Sequence, residues 1–530
     1  MTSRSILIVG GGTAGWITAA VLAKTLGTER TGGTSITLIE SPEISIIGVG
    51  EATFPTIRET LRGLGIDEAE FMRDTSATFK QGILFANWQE TPQNGHRNEY
   101  FHPFEQPYLN DGTVLLPYWL LRDSEHREPF AEAMTFQKQV TDARHGPKRP
   151  YDGNYSAPLN YAYHFDTARF SEMLSRYATK LGVTHLKGMV SEIKLGDDGA
   201  IEHVASEQHG DLKADLYIDC TGFRAELIGK ALKEPFKSAR STLFTNRAVA
   251  CQVPYDTPDA PIESNTISTA HEAGWTWDIG LDTRRGVGYV YSNDHTSDDR
   301  AEEILRAHIG PKADSGKMLH LKFEAGHRER QWVKNCVCVG LAGGFLEPLE
   351  STGIVLIEVA ARMIADFFPH NGPMDAPATR FNQMISKRYE NIIDFLKLHF
   401  CLSRRTEDFW RDNADPSTYP ERLTHFLEEW KRRPPNRYDF DLDHETFVFF
   451  SYQYILYGMG FQTDFEAARG SYRNAAEAQK IFDRIKVFGQ QAVKDLPTHR
   501  NLITQIYAHG FSPKPGERYR DFNPRPGVLA

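Results

Sequence analysis

The apolar positions come in runs of two kinds, and each kind predicts an element. The opening stretch "SILIVGGGTAGWITAAVLAKTLG" is an unbroken apolar run, then glycines, then apolar residues at helical spacing. That order predicts a buried strand, a tight turn and a helix. "TSITLIES" predicts a second strand, which makes the N-terminus a βαβ unit. "RFSEMLSRYATKLGVTHL" has helical spacing and ends at Gly182. The long segment "MVSEIKLGDDGAIEHVASEQHGDLKADLYIDCTG" reads as a β-meander that turns at "GDDG" and closes with a strand. "NCVCVGLAGG" is another buried strand entering a glycine turn, and "TGIVLIEVAARMIADFF" is a helix. Beyond Pro373 the pattern is mostly helical, and it includes the aromatic stretch "FVFFSYQYILYGMGF" at 447–461. In "GWTWDIGL" (274–281), an extended backbone turns Trp275 and Trp277 to the same side, so they are expected to form one flat wall. The last segment, rich in proline and arginine, is expected to wrap the surface or to be partly mobile.

The expected fold class is α/β: a Rossmann-like dinucleotide domain with a β-sheet substrate part and a mostly helical C-terminal region. Residues 1–370 would form the core, with inserted substrate-facing segments near 91–150 and 231–330. Residues 371–530 would cover the substrate.

Composition narrows the function. A formal charge of -10, without long runs of either sign, argues against nucleic acid as the main partner. No apolar run approaches the ~20 residues of a membrane helix. The N-terminus enters a strand at once and leaves no room for a signal peptide. Five scattered cysteines fit a reducing cytoplasm. Cys336 and Cys338 are too close for a zinc knuckle. No H-E-x-x-H or paired Cys/His spacing is present, so no metal is expected. The G-x-S-x-G elbow of a hydrolase is also missing. The aromatic share of 12% suits a site for flat molecules and equally a large core.

The chemistry starts at Gly10, Gly12 and Gly15, a G-x-G-x-x-G that includes Thr13 and Ala14 and lies between strand and helix. Gly10 permits the tight turn, Gly12 lets backbone approach a pyrophosphate, and Gly15 allows close packing. Glu40, at the end of the second strand, suits a ribose hydroxyl. The chain carries a single fingerprint of this kind.

"DLYIDCTGFRAELIG" and "NCVCVGLAGGFLEPLESTG" resemble the later segments that complete the FAD site in flavin monooxygenases of the hydroxybenzoate hydroxylase type. A sharper resemblance lies in "GGGTAGW", "GVGEATFPTI", "TFKQGILFANW", "YFHPF", "IDCTGFR", "GWTWDIGL", "GYVYS", "WVKNCVCVG" and "EPLESTGI", in that order over about residues 5–410. Together they resemble the flavin-dependent tryptophan halogenase family. One departure is Gly280, where the family has proline; glycine there is expected to loosen the backbone beside the wall.

The resemblance implies FAD used as FADH2, oxygen, a bromide or chloride ion, and a separate NAD(P)H-dependent flavin reductase. It also implies hypohalous acid that travels inside the protein to a lysine beside a small aromatic substrate. Lys80 and Glu350 match the catalytic pair, with Glu347 as a neighbouring carboxylate to control for. Thr352 and Gly353 match the halide site, and Ser351 or Thr352 would cap the helix that follows. Gly48, Val49, Gly50, Glu51 and Ala52 match the mobile flavin strap; Val190, Leu341 and Ile354 complete the flavin site. Trp275 and Trp277 would be a barrier between flavin and substrate. His102 and Phe104 would sandwich the substrate ring, with Phe450 and Tyr454 from the aromatic helix. That helix shows no charged clamp for an amino acid, since His444 and Glu445 lie just outside it. Indole is therefore expected rather than free tryptophan. A homodimer is compatible with all of this. A flavin-dependent hydroxylase and a non-catalytic flavin-binding protein remain the alternatives.

Overall fold

The computed structural model describes residues 4–43, 51–93, 96–109, 112–123, 125 and 127–511. The expected strap residues Gly48, Val49 and Gly50 lie outside the described residues, as does most of the proline-rich C-terminal segment.

The βαβ unit forms as the pattern predicts. Strand Ser5–Val9 lies between Ser35–Glu40 and Leu216–Asp219, parallel to both. Cys336–Cys338 and Thr184–Lys187 extend this to a six-stranded sheet, whose outer strand Trp332–Val333 alone runs antiparallel. Strands covered on both faces need continuous apolar runs, and "ILIV" is one. The fingerprint helix Thr13–Leu26 is buried along Gly15–Ala23. It packs against helices Thr167–Leu181 and Thr352–Phe367. Gly182 ends the first of these in the left-handed region, at φ 110°.

The meander folds as Val190–Leu195, Ile201–Ser206 and Gly210–Leu212, and it packs on the outer side of the sheet. A second, seven-stranded sheet carries the reaction side. Its order is Leu319–Lys322, Arg247–Pro254, Arg284–Tyr291, Gly274–Gly280, Thr266–His271, Gly82–Ala86 and Glu99–Pro103. Only the contact between Thr266–His271 and Gly82–Ala86 is parallel. A three-stranded sheet joins the halves: Glu51–Ala52, Ala162–Phe165 and Thr78–Lys80.

Helices dominate after Pro373, led by Asp375–Cys401, with the aromatic helix at Phe449–Gly458 and His499–His509 the last helix described. The five cysteines are free and buried. No helix among the described residues is long and apolar enough to cross a membrane, and no group of three His, Cys, Asp or Glu there could hold a metal ion.

Gly280 ends the tryptophan strand in register with Arg285, and its carbonyl accepts the Thr78 hydroxyl. A Cβ here would lie 2.7 Å from the Tyr255 hydroxyl and 2.8 Å from Ile262 Cγ2, so these side chains would have to shift to admit one.

Candidate active site

Lys80 ends the short strand Thr78–Lys80, and its side chain is wholly buried. Its ammonium donates to the Thr53 carbonyl at 3.1 Å and to Ser351 Oγ at 2.8 Å, and it lies 5.2 Å from the Phe104 ring centre. Burial pushes the Lys80 amine down to about 7, against the opposing pull of Glu350. Desolvation wins because both hydrogen-bond acceptors are neutral. Thr53 is fixed in turn, since its N–H donates to Tyr163 O at 3.0 Å. Glu51 and Ala52 precede it and pair with Phe165 and His164. Burial raises the Glu51 carboxyl to about 7.

Glu350 is buried in a different setting. His102 Nδ1 donates to its two oxygens at 2.9 and 3.1 Å, and His399 Nε2 stands 3.1 Å from Oε1. The Tyr100 hydroxyl bonds His399 Nδ1 at 2.8 Å. Burial alone would raise this carboxyl, but the two imidazoles outweigh it and hold it down at about 2. Glu347, three residues earlier, receives the Thr245 hydroxyl on Oε2, with the Trp275 indole beside it and Lys397 acting from farther off. There burial wins and raises the carboxyl to about 7. Glu350 is thus a carboxylate held ionised, and Glu347 is one pushed toward its neutral form.

Between Glu350 and the helix Thr352–Phe367, the chain reverses at Ser351, which takes φ 59°. A left-handed non-glycine residue costs on the order of 1–3 kcal/mol. It turns the Ser351 hydroxyl onto Lys80. Neither Ser351 nor Thr352 caps the helix, contrary to the sequence expectation; no side-chain cap bond is present. The first-turn N–H groups are therefore free of a side-chain acceptor. A Cβ on Gly353 would meet nothing within 4 Å. A helix start of this kind suits an anion.

Trp275 and Trp277 do lie side by side, but not as a flat wall. Their rings are 6.4 Å apart and inclined at 61°. Edge-to-face contact is favoured over a coplanar array by the ring quadrupoles. Trp275 is buried, while Trp277 is half-buried and lies over Gly288, where a Cβ would be 2.2 Å from Trp277 Cζ2.

The fingerprint turn fits a dinucleotide. Gly10 takes φ 113°, and a Cβ there would be 2.3 Å from Cys220 O; one on Gly15 would be 1.9 Å from Gly10 O. At Gly12 a Cβ would touch nothing within 4 Å, and Gly12 begins the helix without a side-chain cap. The turn is closed where chain meets chain and open where a phosphate would lie. Glu40 folds over the turn: a Cβ on Gly11 would be 1.6 Å from its Oε2, while Oε1 is 2.7 Å from His185 Nε2. Thr13 Oγ1 lies 3.2 Å from Ser171 Oγ. Gly340 packs on Ala14, with Leu341 exposed beside it. Val190 opens the meander half-buried, and Ile354 is part of the main core.

The substrate-side expectations separate. The polar edge of His102 is committed to Glu350, and its ring neighbours are Phe395, Phe447 and Tyr454 at 5.9–6.4 Å. Phe104 stands instead beside Lys80 and Phe54. Tyr454 is buried, and its hydroxyl has no hydrogen-bond partner among the described residues. Phe450 is half-buried and packs against the same cluster that holds Tyr454, Phe130 and Phe482. Sequence reasoning missed Ser351, Thr53, His399 and Tyr100. Three of them lay inside motifs already singled out, Ser351 in "EPLESTGI", Thr53 in "GVGEATFPTI" and Tyr100 in "YFHPF"; His399 lay in none.

This geometry has counterparts. The family model for tryptophan halogenase matches residues 5–470. The tryptophan 6-halogenase SttH of Streptomyces toxytricini is 36% identical over 93% of this chain and 96% of its own. The crystal structure of a tryptophan halogenase from Shewanella frigidimarina superposes with a TM-score of 0.90, at 40% identity over 96% of this chain and 99% of the other. That of Tar14, a tryptophan C-6 flavin-dependent chlorinase from taromycin biosynthesis, gives 0.88, at 37% identity over 95% and 99%. The chain belongs to the tryptophan halogenase family, and it is a flavin-dependent halogenase.

Proposed function

We propose that the protein halogenates an uncharged, electron-rich aromatic, indole being the type case, with bromide or chloride and through hypohalous acid delivered to Lys80. Bound FAD, brought in reduced by a separate flavin reductase, supplies the oxygen chemistry that oxidises the halide. Gly10, Gly12 and Gly15 with the start of the fingerprint helix would hold its pyrophosphate, and Glu40 a ribose. Residues 1–370 carry this chemistry and 371–530 cover the substrate.

The chain's own residues do the rest. Backbone N–H groups at Thr352 and Gly353 hold the halide. Trp275 and Trp277 keep the substrate from the flavin, so that only a small reagent passes. The Lys80 ammonium donates a hydrogen bond to the oxygen of hypohalous acid, which makes the halogen electrophilic. Glu350, kept ionised by His102 and His399, takes the proton from the ring carbon after halogen attack. Tyr454 has a free hydroxyl to accept the indole N–H.

The observation that carries this reading is the buried Lys80 bonded to Ser351, the residue between Glu350 and the uncapped helix start. The aromatic helix Phe449–Gly458 carries no charged residue, which supports an uncharged substrate. The charges that act on Tyr452 of this helix are paired with each other: Arg422 lies 3.2 Å from Asp394 and bonds Glu445. Purified protein with FAD, a reductase, NADH, indole and bromide, read by mass spectrometry, tests the reading. One added halogen is expected. One added oxygen would make the protein a hydroxylase, and no product across a broad aromatic panel would leave it a flavin binder.

A further inference from the structure

Lys80 lies on an edge strand. In the three-stranded sheet, Thr78–Lys80 pairs on one side only, with Ala162–Phe165. An unpaired strand edge leaves backbone donors and acceptors unmet, and in a buried strand water cannot satisfy them. All three residues of this strand are buried, so the outer edge needs partners other than water.

One such partner comes from the C-terminal helix His499–His509, more than 400 residues away in sequence, and the same helix also holds Ala77, the residue just before the strand. The Phe79 N–H, directly before Lys80, donates to His499 Nε2 at 2.9 Å. His499 Nδ1 donates to Ile262 O at 3.2 Å, which fixes the tautomer with Nε2 as acceptor. Burial keeps the ring neutral by pushing it down to about 4. The Tyr507 hydroxyl donates to Ala77 O at 3.0 Å. The helix is itself pinned. Arg500 bonds Ala260 O at 2.8 Å and Asp282 O at 2.7 Å, and Arg73 reaches Ile506 O at 3.3 Å. His499 and Tyr507 therefore stand where the next strand of the sheet would be.

We infer that His499, with Tyr507, is a positioning residue for Lys80: the C-terminal helix replaces the missing strand and fixes the direction in which the ammonium enters the site. This rests on the reading of Lys80 above. Neither residue touches the reagent. What they control is whether Lys80 stands where hypohalous acid arrives.

The test is the partition of the reagent. Under steady FADH2 supply with bromide and indole, brominated indole is measured alongside hypobromous acid that escapes to a soluble trap. In His499→Leu, which removes the acceptor, product should fall about tenfold while trapped hypobromous acid rises. FAD affinity and the KM for indole should stay unchanged. His499→Gln keeps an acceptor oxygen and should restore most of the product. Tyr507→Phe should shift the partition the same way by a smaller factor, and it serves if the leucine variant does not fold. Product and trapped acid falling together, or no change in either, would overturn the inference. Lys80→Ala is the reference: if it does not shift the partition, the reading of Lys80 fails instead.

Discussion

The lysine centre and the aromatic helix are both buried, yet they treat charge in opposite ways. Around Lys80 and Glu350 every charged group has a close partner: Ser351 and Thr53 on the ammonium, His102 and His399 on the carboxylate. Along Phe449–Gly458 no residue is charged, and the buried hydroxyls of Tyr452 and Tyr454 lack partners. A charge enters a protein interior only with partners waiting, and an unpaired one costs several kcal/mol. The first region is built to handle a polar reagent. In the proposed reading the second would take a ring with one N–H rather than a carboxylate or an ammonium.

The largest effect should come from removing the charge of the first region. Lys80→Ala should abolish halogenation and leave FAD binding unchanged, as read by product mass and flavin fluorescence. Product at near wild-type rate would remove Lys80 from the mechanism. Next come the two carboxylates, which differ only in surroundings. Glu350→Gln should lower turnover by about 10²–10⁴-fold, the loss expected of an acid–base group. Glu347→Gln should cost far less, because that carboxyl is already pushed toward its neutral form. The reverse order in steady-state rates would assign the role to Glu347.

A smaller effect concerns stability. The folded state holds Lys80 at about 7, below its ordinary value of 10.5. The unfolded chain therefore binds the proton more tightly. The buried charge destabilises fully below pH 7, and the penalty is relieved as pH rises from 7 to 10.5. Lys80→Met should be more stable than wild type at pH 6, by on the order of 1 kcal/mol or more. The gap should narrow toward pH 10, and denaturant unfolding at the two pH values checks the sign. The smallest effect should be halide choice. Backbone N–H groups discriminate weakly by size, and bromide is more easily oxidised and less costly to desolvate. Bromide should therefore be used at least as well as chloride in competition; mainly chlorinated product would show a selective pocket.

What the sequence made legible follows range. The βαβ unit, the meander and the end of a helix at Gly182 rest on local periodicity, and each formed where the pattern put it. Lys80 and Glu350 were singled out through motifs, and both are buried, joined through Ser351, because the motifs sit at strand and helix ends, while Gly353 of the same motif is exposed. His399, Thr53 and His499 act through contacts between distant segments, one of them through a backbone carbonyl, and no local pattern announces such contacts. Two errors were geometric. Alternation put both indoles on one side but did not fix their χ angles, so the wall came out angled. Ser351 was read as a cap because serine favours that position, but Lys80 had taken its hydroxyl.

The contrast between the two regions is tested most directly by offering both substrates at once. Equimolar indole and L-tryptophan, with FADH2 supply and bromide, are followed to low conversion, and the products are identified by NMR. The account predicts mainly brominated indole, substituted at C3, the most electron-rich carbon, because no side chain anchors the ring. Tryptophan brominated efficiently at a single benzenoid carbon would contradict it, and would mean that the aromatic helix region provides partners for both of its charges.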